Sequence, residues 1–317
     1  MNESTGVISN KNFELVDVTM RDGALGRKFP YSLDQLREYL RILEALNIKY
    51  AEVGFIDGPG KWTEGEVDSP NYDITPELNE LLHKESTLTM WSMIDSDNPR
   101  IKSGQVHTNK KSLVRLTADL DKKHLLQEKI DICKQKGIPF SVNLKHTGGY
   151  EIEQVQSMAE FAQEQGASIF YIVDTSGTMI PSRVAQIARQ LRNTLSIDLG
   201  FHGHDSMGFA AANSLTAIDE GCKYIDVSLC GIGAGGGNAI TETFALLTKG
   251  QDCDWNKLVE AGKLLNISSE YRELQERIFW GFIGCNSTVK KELMNNPEDE
   301  VAEKAMEWKY GKNIKQG

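Results

Sequence analysis

The run Gly166-Ala167-Ser168-Ile169-Phe170-Tyr171-Ile172-Val173-Asp174 decides the fold. Ser168 to Asp174 is a short, nearly continuous apolar stretch, the pattern of a strand buried on both faces. The glycine ahead of it closes a helical pattern over Glu151 to Gln165, as a left-handed cap that turns the chain back sharply. The same junction recurs at Gly137-Ile138 and Gly221-Cys222. Gly137 to Gly166 is 29 residues, and Gly166 to Gly221 is 55, close to two more units. Strand–helix units of that length put the strands parallel, with helical crossovers.

Outward from this run, strands are expected at Glu14–Met20, Tyr50–Phe55, Leu88–Ile94, Leu113–Leu116, Ile138–Leu144, Ile197–Phe201 and Tyr224–Leu229. Between them, helices are expected from Ser32, with Gln35 completing a capping box, to Leu46, and at Pro76–His83, Asp121–Gln135, Pro181–Arg192, Met207–Glu220 and Asn238–Leu247. Eight units predict an α/β fold, a (β/α)8 TIM barrel over residues 13–249. An open, doubly wound sheet is the alternative, because closure is not visible in a sequence. Residues 250–317 contain no strand-like run. Helical patterns over Trp255–Leu265, Ser269–Trp280 and Pro297–Lys309 predict a C-terminal helical extension. Its apolar positions Leu264, Leu265, Phe279, Trp280 and Phe282 need burial, either on the barrel itself or across the interface of a homodimer, which is the expectation.

A net charge of −10 argues against nonspecific binding to nucleic acid or to an anionic membrane. None of the five cysteines forms a C-x-x-C pair, which fits a reducing, cytoplasmic setting. Met1 to Asn12 has no apolar core of a secretory signal, and no apolar run approaches the length of a membrane span.

Barrel active sites gather at the C-terminal ends of the strands. Arg21 and Asp22 end the first strand, His202 and His204 the seventh, and Gly231-Ile232-Gly233-Ala234-Gly235-Gly236-Gly237-Asn238 follows the eighth. These strands are neighbours in a closed barrel. Residues two apart on a strand share a face, so His202 and His204 suit a divalent metal ion, with Asp22 as third ligand. The same spacing also suits two polar residues at a strand end. The glycine run formally contains G-x-G-x-x-G, but no further strand with an acidic terminus follows and no P-loop lysine is present. Bare backbone there suits close approach to a carboxylate or phosphate, and Asn238 offers an amide oxygen to the metal.

Asp17-Val18-Thr19-Met20-Arg21-Asp22-Gly23, His202-Gly203-His204-Asp205-Ser206-Met207-Gly208 and Gly233-Ala234-Gly235-Gly236-Gly237-Asn238-Ala239 together resemble the HMG-CoA lyase-like superfamily of metal-dependent barrels. Asn213-Ser214, Glu220-Gly221-Cys222 and Asp226-Val227-Ser228-Leu229 look most like its 4-hydroxy-2-oxovalerate aldolase branch. The resemblance implies an aldolase or lyase that makes or breaks a carbon–carbon bond beside a 2-oxo acid, through a pyruvate enolate. It implies Asp22, His202 and His204 as ligands, Asn238 as a fourth, and Arg21 as the enolate's partner. The metal would be Mn²⁺ or Mg²⁺, with Co²⁺ or Zn²⁺ also compatible.

One position departs from the pattern. Two residues after Arg-Asp-Gly the aldolases resembled carry a histidine base and the lyases a glutamine, whereas this chain has Leu25. His146 and Lys145, at the end of the fifth strand, are the expected substitutes, with a metal-bound water as the third option. Asp174 and Ser176, after strand six, either bind substrate or form a turn. Glu52 is expected to face the interior and meet Arg21. Gly235 and Gly236 complete the expected substrate-binding set. The rival readings are an acyl-CoA-dependent Claisen-type synthase and a barrel that has lost catalysis and serves as a binding partner.

Overall fold

In the computed structural model, eight parallel strands close into a barrel in chain order. They are β1 (Glu14–Asp17), β2 (Tyr50–Phe55), β3 (Thr89–Ile94), β4 (Leu113–Ala118), β5 (Phe140–Leu144), β6 (Ile169–Asp174), β7 (Asp198–Gly203) and β8 (Tyr224–Val227). The structure describes residues 8, 11–23, 33–56, 84, 86–97, 112–250, 253–264, 269–297 and 300–311. Closure is carried by β1, which pairs with β2 at Val16–Tyr50 and with β8 at Leu15–Ile225. This decides between the barrel and the open sheet.

The interior is layered by the two-residue period of the strands. Tyr50, Trp91 and Tyr224 form an aromatic floor at the N-terminal ends, their ring centroids 5.1–5.6 Å apart. Val16, Val18, Leu113, Ile169, Tyr171 and Val173 pack with them. Two residues further along β2, β4 and β8 the same parity brings in Glu52, Arg115 and Asp226, all buried. The core thus changes from aromatic to ionic on its way to the C-terminal face.

Helices α1 (Leu33–Ala45), α2 (Lys123–Lys136), α3 (Ile152–Glu164), α4 (Pro181–Thr194) and α5 (Ala210–Asp219) connect the strands. The expected helix at Pro76–His83 lies outside the described residues. Gly137, Gly166 and Gly221 have φ of 65°, 90° and 86°, the left-handed values expected of caps.

Three boundaries differ from expectation in ways that shape the site. The first strand ends at Asp17 rather than Met20. Asp17 Oδ1 accepts the N–H of Thr19 at 2.9 Å. The chain then winds into a π-helical turn, Thr19–Gly23, whose Arg21, Asp22 and Gly23 N–H groups all point at the Val18 carbonyl, at 3.1, 2.8 and 3.4 Å. Strand β7 instead runs on to Gly203 and carries His202 within it. Helix α5 starts at Ala210, where the Asp205 carboxylate takes the Ala210 N–H at 2.8 Å, rather than at Met207.

Contacts divide the described residues into two compact units, one within Lys11–Ile240 and one from Thr241 onward together with Ile8. The second contains α6 (Thr241–Lys249), α7 (Trp255–Leu264), α8 (Ser269–Ile283), α9 (Ser287–Leu293) and α10 (Val301–Gly311). Here Phe279 is buried, with the Trp255 ring at 4.7 Å, and Gln275 donates to the buried Glu242 at 3.0 Å. Helix α9 was not expected; Asn286 caps it, taking the N–H groups of Thr288 and Val289 at 3.1 and 3.0 Å. No helix among the described residues is long and apolar enough to cross a membrane.

Candidate metal centre

Asp22, His202 and His204 meet at the C-terminal mouth of the barrel, all three buried. One ligand atom from each lies within 4.8 Å of the others. The π-helical turn lifts Asp22 off the end of β1, and β7 with the residue that follows Gly203 brings both imidazoles to the cluster. His204 also forms a bridge to Asn238, which folds the glycine run back over the cluster.

The two rings are held in defined tautomers. His204 Nδ1 lies 3.0 Å from the Gly237 carbonyl, which only accepts, so Nδ1 carries the hydrogen. His202 Nδ1 lies 2.8 Å from Asp226 Oδ2. Burial opposes the Asp226 charge, but the Arg115 guanidinium outweighs it and holds this carboxyl below its ordinary range, so it too accepts. In the neutral rings both Nε2 lone pairs are then free, and the two Nε2 atoms face each other at 3.3 Å. Two lone pairs at that distance repel unless a cation lies against both. A proton serves poorly near neutral pH, because burial, and then the neighbouring His202, push His204 below its ordinary value. A metal ion serves well: imidazole nitrogens about 2.0–2.1 Å from a common ion lie roughly 3 Å apart.

The third donor is anionic. Burial disfavours the Asp22 charge, but Arg21, then His202 and His204, and the Asn238 hydrogen bond hold its carboxyl well below the ordinary range. Arg21 Nη1 donates to Asp22 Oδ1 at 2.6 Å and Nε to Glu52 Oε2 at 2.7 Å. Two neutral nitrogens and one carboxylate, each oriented by an outer partner, form a donor set that divalent ions take, with positions to spare.

The other expected site residues fall in different places. Asn238 reaches the cluster through its amide nitrogen, donating to Asp22 Oδ2 at 2.8 Å, while its buried Oδ1 has no partner among the described residues. An orphaned buried acceptor on a residue bonded to Asp22 also fits a cation. The glycine run presents backbone to a carboxylate, and it is Asp22's own: Ala234 N donates to Oδ2 at 3.2 Å. A Cβ on Gly233 would sit 2.3 Å from Asn238 Nδ2 and 2.7 Å from Asp22 Oδ2, so only glycine fits. Gly236 packs on the backbone of Ser206, and Gly235 is exposed. Glu52 faces inward and holds Arg21, as expected. Asp174 uses both oxygens on the Thr178 and Met179 N–H groups, at 3.1 and 2.9 Å, and so shapes its own loop. Ser176 is exposed.

His146 is exposed on the rim in a left-handed conformation, its N–H on Thr175 Oγ1 at 2.8 Å. Lys145 Nζ is 2.9 Å from Asp119 Oδ2, with Asp97 and Asp95 at 3.7 and 3.9 Å. Burial works against its charge, but these carboxylates prevail and raise its pKa. It is an ammonium, the reverse of the neutral amine a Schiff base needs. Leu25 lies outside the described residues. Two buried residues were missed in the sequence, Arg115 and Asp226. A lone charge in mid-strand, at inward parity, was the signal that marked Glu52, and it marked these as well.

A family model described as HMGL-like matches residues 101–270, more than half of the chain. A 4-hydroxy-2-oxovalerate aldolase of Bacillus cereus is 27% identical over 251 residues, 74% of this chain and 69% of the relative. An oxaloacetate decarboxylase of Mycobacterium tuberculosis is 26% identical over 236 residues, 72% of this chain and 67% of the relative. The HMG-CoA lyase of Bacillus subtilis has a similar fold, with a TM-score of 0.67 at 20% identity, over 84% of this chain and 98% of that one.

Proposed function

As this chain belongs to the HMGL-like family, we propose that it is a carbon–carbon lyase acting on a 2-oxo acid through a pyruvate enolate, dependent on a divalent metal ion held by Asp22, His202 and His204. The observation that carries the reading is the pair of Nε2 atoms 3.3 Å apart beside an ionised carboxylate. A bound divalent ion supplies Lewis-acid polarisation of the 2-oxo group. The protein's own part is positioning and charge. Arg21 is fixed by Glu52 and Asp22, and among the described residues its Nη2 has no partner. That end of the guanidinium is free to donate to an oxygen that becomes negative as the carbon–carbon bond breaks. Asn238 and the Ala234 N–H fix the Asp22 carboxylate, and Gly237 fixes His204. Mn²⁺ and Mg²⁺ are the ions we favour.

A second reading shares the enolate. Cleavage of a 4-hydroxy-2-oxo acid needs a base for the hydroxyl proton, whereas loss of carbon dioxide from a 2-oxo diacid needs none. Leu25, the exposed His146 and the ammonium of Lys145 favour decarboxylation. The relative named for oxaloacetate supports that branch. The test is pyruvate release from a 4-hydroxy-2-oxo acid and from oxaloacetate, before and after chelation. We expect release from one of them, lost on chelation and restored by Mn²⁺. Release that survives complete removal of metal, or none from either substrate, contradicts the proposal.

A further inference from the structure

Arg115, on β4, is fully buried at the centre of the barrel, and no step of the proposed chemistry uses it. Its Nη1 donates to Glu52 Oε2 at 3.0 Å and its Nη2 to Asp226 Oδ2 at 2.6 Å. Asn143, with its amide oxygen turned to the guanidinium, accepts from Nε at 3.1 Å and Nη2 at 2.9 Å. The Tyr171 ring lies 4.2 Å from the guanidinium carbon. Burial disfavours this cation, but Asp226 and Glu52 raise its pKa further.

Each bridging carboxylate does its work through one oxygen. Glu52 Oε2 also receives Arg21 Nε, and Asp226 Oδ2 also meets His202 Nδ1. The other oxygens, Glu52 Oε1 and Asp226 Oδ1, are buried and accept no hydrogen bond of normal length among the described residues. Arg115 and a single site residue therefore fix each working oxygen. A guanidinium is a planar, rigid fork, so it sets the spacing between the two oxygens it holds. Through them it sets the spacing between Arg21 on one side and His202 on the other. Apolar residues commonly replace a buried ion network with no loss of stability, so stability alone gives no reason for this one. The buried charges leave a purpose visible. Asp22, Glu52 and Asp226 against Arg21 and Arg115 give a net charge of one negative, which a divalent cation together with a monoanion neutralises.

We propose that Arg115 is a positioning residue: through Asp226 it holds His202 as the Nδ1–H tautomer with Nε2 turned to Asp22 and His204, and through Glu52 it holds Arg21 beside them. The inference rests on the metal reading of the site, and its test separates the two. Full-length, metal-free protein with ¹⁵N-labelled histidine is compared with Asp226→Asn and Arg115→Lys at mildly alkaline pH, where imidazole is neutral. Ring ¹⁵N shifts report the His202 tautomer, titration with Mn²⁺ alone reports affinity, and thermal melting reports folding.

Wild type is expected to show Nδ1–H at His202. Asp226→Asn, whose amide can donate to the ring, is expected to populate Nε2–H and to weaken Mn²⁺ binding roughly 10–100-fold. Arg115→Lys touches no ligand and keeps the charge, but a point charge cannot span both carboxylates. It is expected to weaken Mn²⁺ binding about tenfold. An unchanged tautomer in Asp226→Asn overturns the proposal, as does Mn²⁺ affinity within about two-fold of wild type in a cooperatively melting Arg115→Lys. If Arg115→Lys does not fold, the tautomer in Asp226→Asn decides. Wild type that binds no Mn²⁺ while showing the expected tautomers defeats the metal reading and leaves the positioning role standing.

Discussion

His202 has three jobs at once: it accepts orientation from Asp226, presents Nε2 to the cluster, and lies opposite His204. His202→Ala should remove most bound divalent metal while leaving cooperative folding, since the ring sits at the mouth and not in the aromatic floor. Elemental analysis with full occupancy in that variant would contradict the site. Arg21→Lys keeps the charge but loses the fork, so kcat should fall by roughly 10²–10³ with metal content unchanged. Equal loss of metal and activity would make Arg21 a support of the site instead. The same residues give the metal-free protein a pH dependence whose sign is fixed. His204 is depressed by burial and by His202, so stability present above about pH 6.5 should be lost as the pH falls toward its folded value. Asp22 and Asp226 are depressed too, so theirs is present above about pH 4 and lost on further acidification. A denaturant midpoint that stays flat from neutral pH into this acid range would contradict both.

At the scale of elements, the glycine run after β8 and the glycine caps of the helices serve different ends. Gly137 has φ of 65° and nothing within 4 Å of a would-be Cβ, so Gly137→Ala should cost about 1 kcal/mol of stability and leave metal binding alone. In Gly233→Ala the new carbon collides with Asn238 and Asp22, so metal affinity should fall at least roughly tenfold. Equal metal affinity in the two variants would refute this division. The same contrast shows what could be read in the sequence. The caps, the strands and the His-x-His pair were legible because each rests on a local rule, a turn or a two-residue period. The π-helical turn was not, because it depends on Asp17 capping Thr19 and on one carbonyl gathering three N–H groups. Arg115 and Asp226 carried the same mid-strand signal as Glu52, but Arg115 lies 63 residues from Glu52 and 111 from Asp226 in sequence, and only the closed barrel joins them.

Across the whole molecule, closure turns scattered charges into one site, since β1, β7 and β8 become neighbours. Closure itself could not be seen in the sequence, whereas eight parallel units could. In the helical unit Phe279 and Ile283 are buried, yet Met294 is 51% exposed and Trp280 and Phe282 are half-buried. We propose that these side chains are covered in a homodimer. Light scattering at micromolar concentration should give twice the chain mass, and a monomer would reject the dimer.

On the function we propose, this barrel forms a pyruvate enolate with a divalent ion at Asp22, His202 and His204. Exchange of the pyruvate methyl protons into D₂O, followed by NMR with the same protein stripped of metal and reloaded with Mg²⁺, tests it most directly. Exchange is expected in the loaded protein, none above background in the stripped protein, and a large loss in loaded Arg21→Lys. Equal exchange with and without metal, or none with the metal-loaded wild type, would contradict it.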